Sequence, residues 1–188
     1  AGLDDLPLLD YRPFVGTGAR GMLRIAIGIQ QDAPEFEIRR EEFFQAYEAM
    51  LMRHSGLFAG VTSLVDGLEK QGMPWGIVTN KAERFTLPIV GQIPTLGRAE
   101  VVVCGDTTPH SKPHPAPLLH ACKHLGFLPE QVIYVGDDER DMQAARAAGM
   151  RSVAADYGYL GGVDSTNSWN PDAAIKNPLE LLKLLGLD

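Results

Sequence analysis

A chain of 188 residues and 20.5 kDa, 45% apolar and 22% charged, can bury a sizeable core as one domain with an appended subdomain. Its formal charge of −7 argues against nucleic acid or an anionic membrane as the main partner, and any anionic substrate must meet a local positive site. Cys104 and Cys122 make no disulfide framework and fit a reducing cytoplasm, no apolar run approaches the roughly 20 residues of a membrane span, and the first residues carry no signal-peptide pattern.

Taken in order, the first 56 or so residues hold no convincing strand. Gly18 to about Ile29 reads as a short helix carrying Met22, Leu23, Ile25, Ala26 and Ile29. Asp32-Ala-Pro-Glu can start a second helix, with Asp32 as cap and Pro34 near the first turn, running to about His54. Phe43, Phe44, Tyr47, Met50 and Leu51 form its apolar stripe, which suits helix packing better than cofactor contact. From about residue 57 the texture changes. Leu64, Val65 and Leu68 mark a helix ending near Gly72. Strands are expected at 73–79, 100–104, 131–135, 151–155 and, briefly, 173–175. Helices are expected between them at 82–90, 115–125 and 140–148, and a last one at 179–185. In the 115–125 helix Leu118, Leu119, Cys122 and Leu125 are expected to face inward, and polar, Gly-rich 161–170 is a loop. This alternation implies a parallel sheet with right-handed crossovers.

Three strand ends carry reactive groups. In Ile133-Tyr-Val-Gly-Asp-Asp-Glu-Arg-Asp141 an apolar run stops at Gly136, and Asp137, Asp138 and Asp141 follow. Acids at the carboxyl end of a buried strand lie where open α/β sheets bind ligands, and a hard cation such as Mg²⁺ would relieve their repulsion. Helix capping by Asp138 and Asp141 accounts for part of the cluster. After Trp75-Gly-Ile-Val78, Thr79 and Asn80 offer a hydroxyl and backbone N–H groups to phosphate oxygens, or cap the next helix. In Lys112-Pro-His-Pro115, two prolines stiffen the backbone that aims Lys112, a point charge suited to phosphate; an ordinary exposed lysine is the bland alternative. His110 and His114 have no carboxylate or cysteine at ligand spacing, and His120 and His124 suit an exposed helix face, so zinc is not expected.

Thr79-Asn80, Lys112-Pro113 and Gly136-Asp-Asp-Glu-Arg-Asp141, in that order, resemble motifs II, III and IV of the haloacid dehalogenase (HAD) superfamily. Val15-Gly-Thr-Gly-Ala19, Val78-Thr-Asn-Lys81, Lys112-Pro-His-Pro115 and Tyr157-Gly-Tyr159 are similar to segments of bacterial phosphoglycolate phosphatases, with N-acetylmuramic acid 6-phosphate phosphatases as close relatives. The resemblance implies an α/β, HAD-like Rossmannoid core with a parallel sheet (residues 57–188) and an N-terminal α-helical cap of the C1 type (residues 1–56). It implies a cytoplasmic, Mg²⁺-dependent phosphatase of a small phosphorylated metabolite, a monomer or homodimer without nucleic-acid or membrane partners. Thr79, Asn80 and Lys112 would be catalytic, and Asp137, Asp138 and Asp141 would serve the metal. Gly16, Thr17, Gly18 and Arg20 would bind substrate, Arg20 meeting a carboxylate or simply lying in solvent. One departure matters: motif I, Asp-x-Asp-Gly-Thr on the first core strand, is absent from the sequence, and Asp4-Asp5 lacks its context. The nucleophile is therefore expected upstream. If the protein truly lacks it, a non-catalytic binding module is the alternative. A dehalogenase would not need the acid-rich motif, and a receiver domain would carry its acids first in the chain.

Overall fold

The computed structural model describes residues 7, 11–53, 55–161, 163 and 165–187; Asp4, Asp5 and His54 lie outside them. Among these residues no helix is long and apolar enough to cross a membrane.

A 3₁₀ turn at Arg12–Thr17 leads into α1 (Gly18–Ile27), and α2 spans Phe36–Met50. Helix α2 begins three residues later than Asp32 suggested, with Glu35 in the cap position. Pro34 disfavours helical backbone at Ala33, so residues 31–35 close into turns, with Phe36 N–H donating to the Ala33 carbonyl at 2.9 Å. The aromatic stripe of α2 packs on a later helix, with Phe44 and Tyr47 ring centroids 5.0 and 5.3 Å from Phe85. Leu51 is buried below that contact, whereas Met50 is 52% exposed because the stripe has already turned away.

The remainder alternates as the sequence pattern requires: α3 (Val61–Lys70), β1 (Gly76–Val78), α4 (Glu83–Gln92), β2 (Val101–Val103), α5 (Ala116–Leu125) and β3 (Ile133–Gly136). Then follow α6 (Glu139–Ala148), β4 (Arg151–Ala155), β5 (Ala173–Ile175) and α7 (Glu180–Leu184). The 161–170 segment, expected as plain loop, contains a 3₁₀ turn at Thr166–Trp169 that buries Thr166 and Trp169. Helices α5 and α6 cover one face of the strands. The small side chains Ala144, Ala145 and Ala148 let α6 approach Leu118 and Cys122 of α5 closely. Leu119, expected inside, is 41% exposed, because Leu118 and Cys122 set the buried face and Leu119 lies beyond its edge. On the opposite face Leu64 of α3 and Leu181 and Leu185 near α7 pack on Val153 and Ile175. Burial of each such side chain contributes about 1.5–3 kcal/mol.

The strands make two parallel sheets. One pairs Gly76 with Val101 and Val78 with Val103; the other has the order β3-β4-β5, pairing Ile133 with Arg151 and Val153 with Ala173. Among the described residues no ladder joins β1 to β3. Their burial matches that break. Strands β2 and β4 are mostly buried, whereas Gly76 of β1 is exposed and Ile77, Val78 and all of β3 are half-buried. Side chains bridge the break instead: the Tyr134 hydroxyl on β3 donates to the Val78 carbonyl on β1 at 3.0 Å.

Candidate active site

The carboxyl ends of β1 and β3 converge on Lys112. Asn80 fixes this lysine from below. Its side-chain amide donates to the Lys112 carbonyl at 2.8 Å and accepts from the Lys112 N–H at 2.9 Å, a two-point clamp on the Lys112–Pro113 loop. Lys112 itself is only 9% exposed. Its ammonium donates to the Val78 carbonyl (3.0 Å), the Tyr134 hydroxyl (2.7 Å) and Asp141 Oδ1 (2.7 Å), so all three N–H bonds have acceptors. A pair this buried is held by geometry, and losing one partner would strand the other charge. Burial, and then the charge of Asp141, hold the Tyr134 phenol well above its usual pKa, so it stays a donor to Val78.

The three acids have separate tasks in this arrangement. Asp141 is buried, and its Oδ2 accepts from the N–H groups of Asp137 (3.1 Å) and Asp138 (3.2 Å). Gly136 makes this possible, since a β-carbon there would lie 2.4 Å from that of Asp141. Asp138 caps α6 through the Arg140 N–H at 2.9 Å and is gripped by the Arg140 guanidinium at 2.7 and 2.6 Å. Burial pushes its carboxyl upward, but the hydrogen bonds and charge of Arg140 outweigh that and hold it below the usual range. Asp137 goes the other way. Burial, with the Asp141 charge adding, raises it against the lowering effect of the Tyr159 N–H, which donates to its Oδ2 at 2.7 Å.

Among the described residues no three side chains are arranged to hold a metal ion. Asp138 and Asp141, expected to serve the metal, are paired with Arg140 and Lys112 respectively. Of the three acids, Asp137 alone has no arginine or lysine partner among the described residues, its Oδ2 accepting instead from the Tyr159 N–H. A half-buried carboxylate that no cation of the chain compensates fits a hard cation as a single ligand.

Thr79 sits at the end of β1, its N–H on the Val103 carbonyl at 2.9 Å and its hydroxyl accepting from the Lys81 N–H at 3.1 Å. The N-terminal segment reaches the same place. The Gly16 carbonyl accepts from Arg140 at 2.7 Å, so the 16–18 turn touches the acids. Thr17 and Arg20 line a cleft beside that turn. Gly18, at φ 64°, is the bend through which the chain enters α1. Thus Thr79, Asn80, Lys112, the acids and Gly16 are gathered at one end of the strands.

Several contributors went unread in the sequence. Tyr134 breaks an otherwise aliphatic run, and that hydroxyl was its only signal. Arg140 lies inside the acid motif. Gly158 permits Asp137 its place, since a β-carbon there would meet that of Asp137 at 2.3 Å, which gives Tyr157-Gly-Tyr159 a physical meaning.

Residues 2–155 match the model of the haloacid dehalogenase-like hydrolase family, and the chain belongs to that family. It is 44% identical over 180 residues to a phosphoglycolate phosphatase of Xanthomonas campestris pv. campestris, covering 96% of this chain and 81% of the relative. It is 40% identical over 183 residues to an N-acetylmuramic acid 6-phosphate phosphatase of Pseudomonas putida, covering 96% and 82%. A crystal structure described as a predicted phosphoglycolate phosphatase from Haemophilus somnus superposes with a TM-score of 0.86 at 26% identity, covering 98% of this chain and 84% of that one.

Proposed function

We propose that this chain carries most of a Mg²⁺-dependent phosphatase of a small phosphorylated metabolite. Phosphoglycolate is the leading substrate and N-acetylmuramic acid 6-phosphate the alternative, after the relatives with these names. The carrying observation is the buried Lys112 ammonium, fixed beside Asp141 where β1 and β3 end. A positive charge held there offsets negative charge gathering on a phosphoryl group in a loose transition state.

The break between β1 and β3 supports a nucleophile delivered by a further parallel strand. Two half-buried edges and a Val78 carbonyl satisfied only by side chains are what a sheet shows when a strand belongs between them. A carboxylate at that strand's end would face Lys112 and Asp137. It would attack phosphorus to give an aspartyl-phosphate, and a second carboxylate on the same strand would protonate the leaving oxygen and then activate water. Backbone pairing of the Val78 carbonyl would release one Lys112 N–H toward the phosphoryl oxygens. Thr79 offers its hydroxyl to the phosphate, and Asn80 aims Lys112 through its loop. Asp137 is the ligand this chain gives to Mg²⁺, with Asp141 and Asp138 ordering the strand end around it. Bound there, Mg²⁺ would supply electrostatic stabilisation of phosphoryl oxygens. Residues 1–56 act as a C1-type cap and 57–188 as the core. Gly16 on Arg140 and Tyr47 on Lys81 (2.7 Å) support this reading, bringing the first part of the chain over the second.

The test pairs an intact mass of the purified protein with phosphate release from both esters in Mg²⁺ and in EDTA. Mg²⁺-dependent release from a protein heavier than 20.5 kDa supports the reading, including the added strand. Phosphate binding without turnover at 20.5 kDa would replace it with a binding module.

A further inference from the structure

Resting on the phosphatase reading, we infer that Arg140 is a positioning residue: it ties the Gly16-Thr17-Gly18 turn to the acid cluster and so sets where the segment leading into α1 stands over the site. One guanidinium serves both partners. Arg140 Nε donates to Asp138 Oδ1 at 2.7 Å, while its Nη2 donates to Asp138 Oδ2 at 2.6 Å and to the Gly16 carbonyl at 2.7 Å. Asp138 passes the link on. Its own N–H donates to Asp141 Oδ2 at 3.2 Å, and Asp141 Oδ1 meets the Lys112 ammonium at 2.7 Å. Gly16 is thereby joined to Lys112 through three side chains.

The turn is built to present that carbonyl. The Thr17 hydroxyl donates back to the Phe14 carbonyl at 2.5 Å and fixes the turn internally. A β-carbon at position 21 would lie 1.6 Å from that hydroxyl oxygen, so Gly21 leaves the room it occupies. Gly16 lets the backbone come against the ion pair, since a β-carbon there would lie 3.2 Å from Asp138 Oδ2 and 3.4 Å from Arg140 Nη2. Arginine suits the other side of the contact. Its planar fork matches both oxygens of Asp138 and still has an N–H on Nη2 for a third acceptor, which the single nitrogen of a lysine cannot match in that geometry. Asp138 is itself held as the cap of α6 by the Arg140 N–H, so the fork starts from a fixed base. Among the described residues, the other polar contacts between the helical first part and the remainder are Tyr47 with Lys81 and Glu41 and Glu48 with Arg84, and all of these land on α2. Arg140 alone among them holds the segment ahead of α1.

The experiment compares wild type, Arg140→Gln, Arg140→Lys, Gly16→Ala and the Arg140→Gln/Gly16→Ala double variant of the purified protein, on phosphoglycolate and on N-acetylmuramic acid 6-phosphate. In Arg140→Gln, kcat/KM on the ester that wild type hydrolyses should fall by about tenfold to a hundredfold, the range for losing a charge-assisted hydrogen bond, with a rise in KM as its main part. Arg140→Lys should bring Tm and the Mg²⁺ requirement back toward wild type, because the charge on Asp138 returns, while KM stays raised because the reach to Gly16 does not. Gly16→Ala presses on the same contact from the other side. It should raise KM by about threefold with the Mg²⁺ requirement unchanged, and the double variant should be no worse than Arg140→Gln, as expected of two residues acting through one contact. A silent Gly16→Ala, or effects that multiply in the double variant, overturns the tie and leaves Arg140 a partner of Asp138 only. A second measurement does not depend on turnover. Amide hydrogen exchange over residues 14–27 should quicken in Arg140→Gln and in Gly16→Ala, while residues 36–50 keep their protection. That result sustains the tie even where neither ester is hydrolysed and the phosphatase reading fails. Unchanged exchange over 14–27 in both variants overturns it, whether or not the protein is a working phosphatase.

Discussion

The pair that fixes Lys112 in the α/β part and the pairs of the helical first part hold their charges in opposite ways. In the α/β part the decisive pair, Lys112 with Asp141, is 9% and 7% exposed and fully hydrogen-bonded. In the helical part the pairs Arg39–Glu42 and Arg40–Glu37 are 44–66% exposed, and Arg84 reaches from α4 to Glu41 and Glu48 across open surface. Solvent-exposed pairs are screened and individually weak. The contrast separates a buried pair that fixes one ammonium by its surroundings from exposed pairs that leave their side chains in solvent.

Lys112→Met should break the comparison most severely. Turnover should fall by about a thousandfold or more, as expected when a transition-state charge partner is removed. Asp141 is left buried and unpaired, so stability should fall by about 3–5 kcal/mol, read as a lower urea midpoint. Near-normal turnover would remove Lys112 from the chemistry.

Gly158→Ala comes next. The new methyl group meets the Asp137 side chain at 2.3 Å, so Asp137 must shift. Turnover should fall about tenfold or more, with a destabilisation of about 1–3 kcal/mol from overpacking. An unaltered Mg²⁺ dependence would mean that Asp137 does not need its present position.

Arg84→Ala tests the other side of the contrast. It removes the pairs with Glu41 and Glu48 and uncovers the Phe44–Phe85 contact. Because these pairs are exposed, Tm should stay within about 2 °C of wild type, while KM rises several-fold. A large fall in Tm with KM unchanged would make this a structural clamp instead of a docking contact.

The smallest effect belongs to Asp172→Asn. Asp172 accepts from the Ser152 N–H at 2.7 Å and hydroxyl at 2.9 Å, and these hydrogen bonds hold its carboxyl below the usual range. A depressed folded pKa contributes stability that is present above the unfolded value near 3.8 and is lost as pH falls through the folded value. The variant should therefore lose a little Tm at pH 7, and the difference from wild type should close as the pH is taken progressively below 3.8. A gap that widens instead would reverse the sign.

Much of this was legible without coordinates. The alternation of apolar runs with helix-period segments placed every strand of the α/β part, because burial from both faces leaves a strong local pattern. The acid run after Gly136 marked the site for the same reason: acids seldom follow a buried strand unless something compensates them. The start of α2 was misplaced, since the turn preference of Ala33-Pro34 overrode the capping signal of Asp32. Met50 and Leu119 were assigned inward because periodicity says which face is apolar, not how wide its partner is.

By itself, then, the sequence determined the element order and the parallel topology and pointed to Thr79, Lys112 and Asp137 at the strand ends, all consequences of patterns within a few residues. The tertiary structure alone decided which cation each acid meets: Asp141 on Lys112, Asp138 on Arg140, and Asp137 on none among the described residues. It also decided that Tyr134 spans from β3 to β1, that Gly16 lies on Arg140, and that Arg20 and Arg24 share a cleft. Those pairings join residues up to 124 positions apart, and Coulomb and hydrogen-bond energies depend on distances that only packing sets.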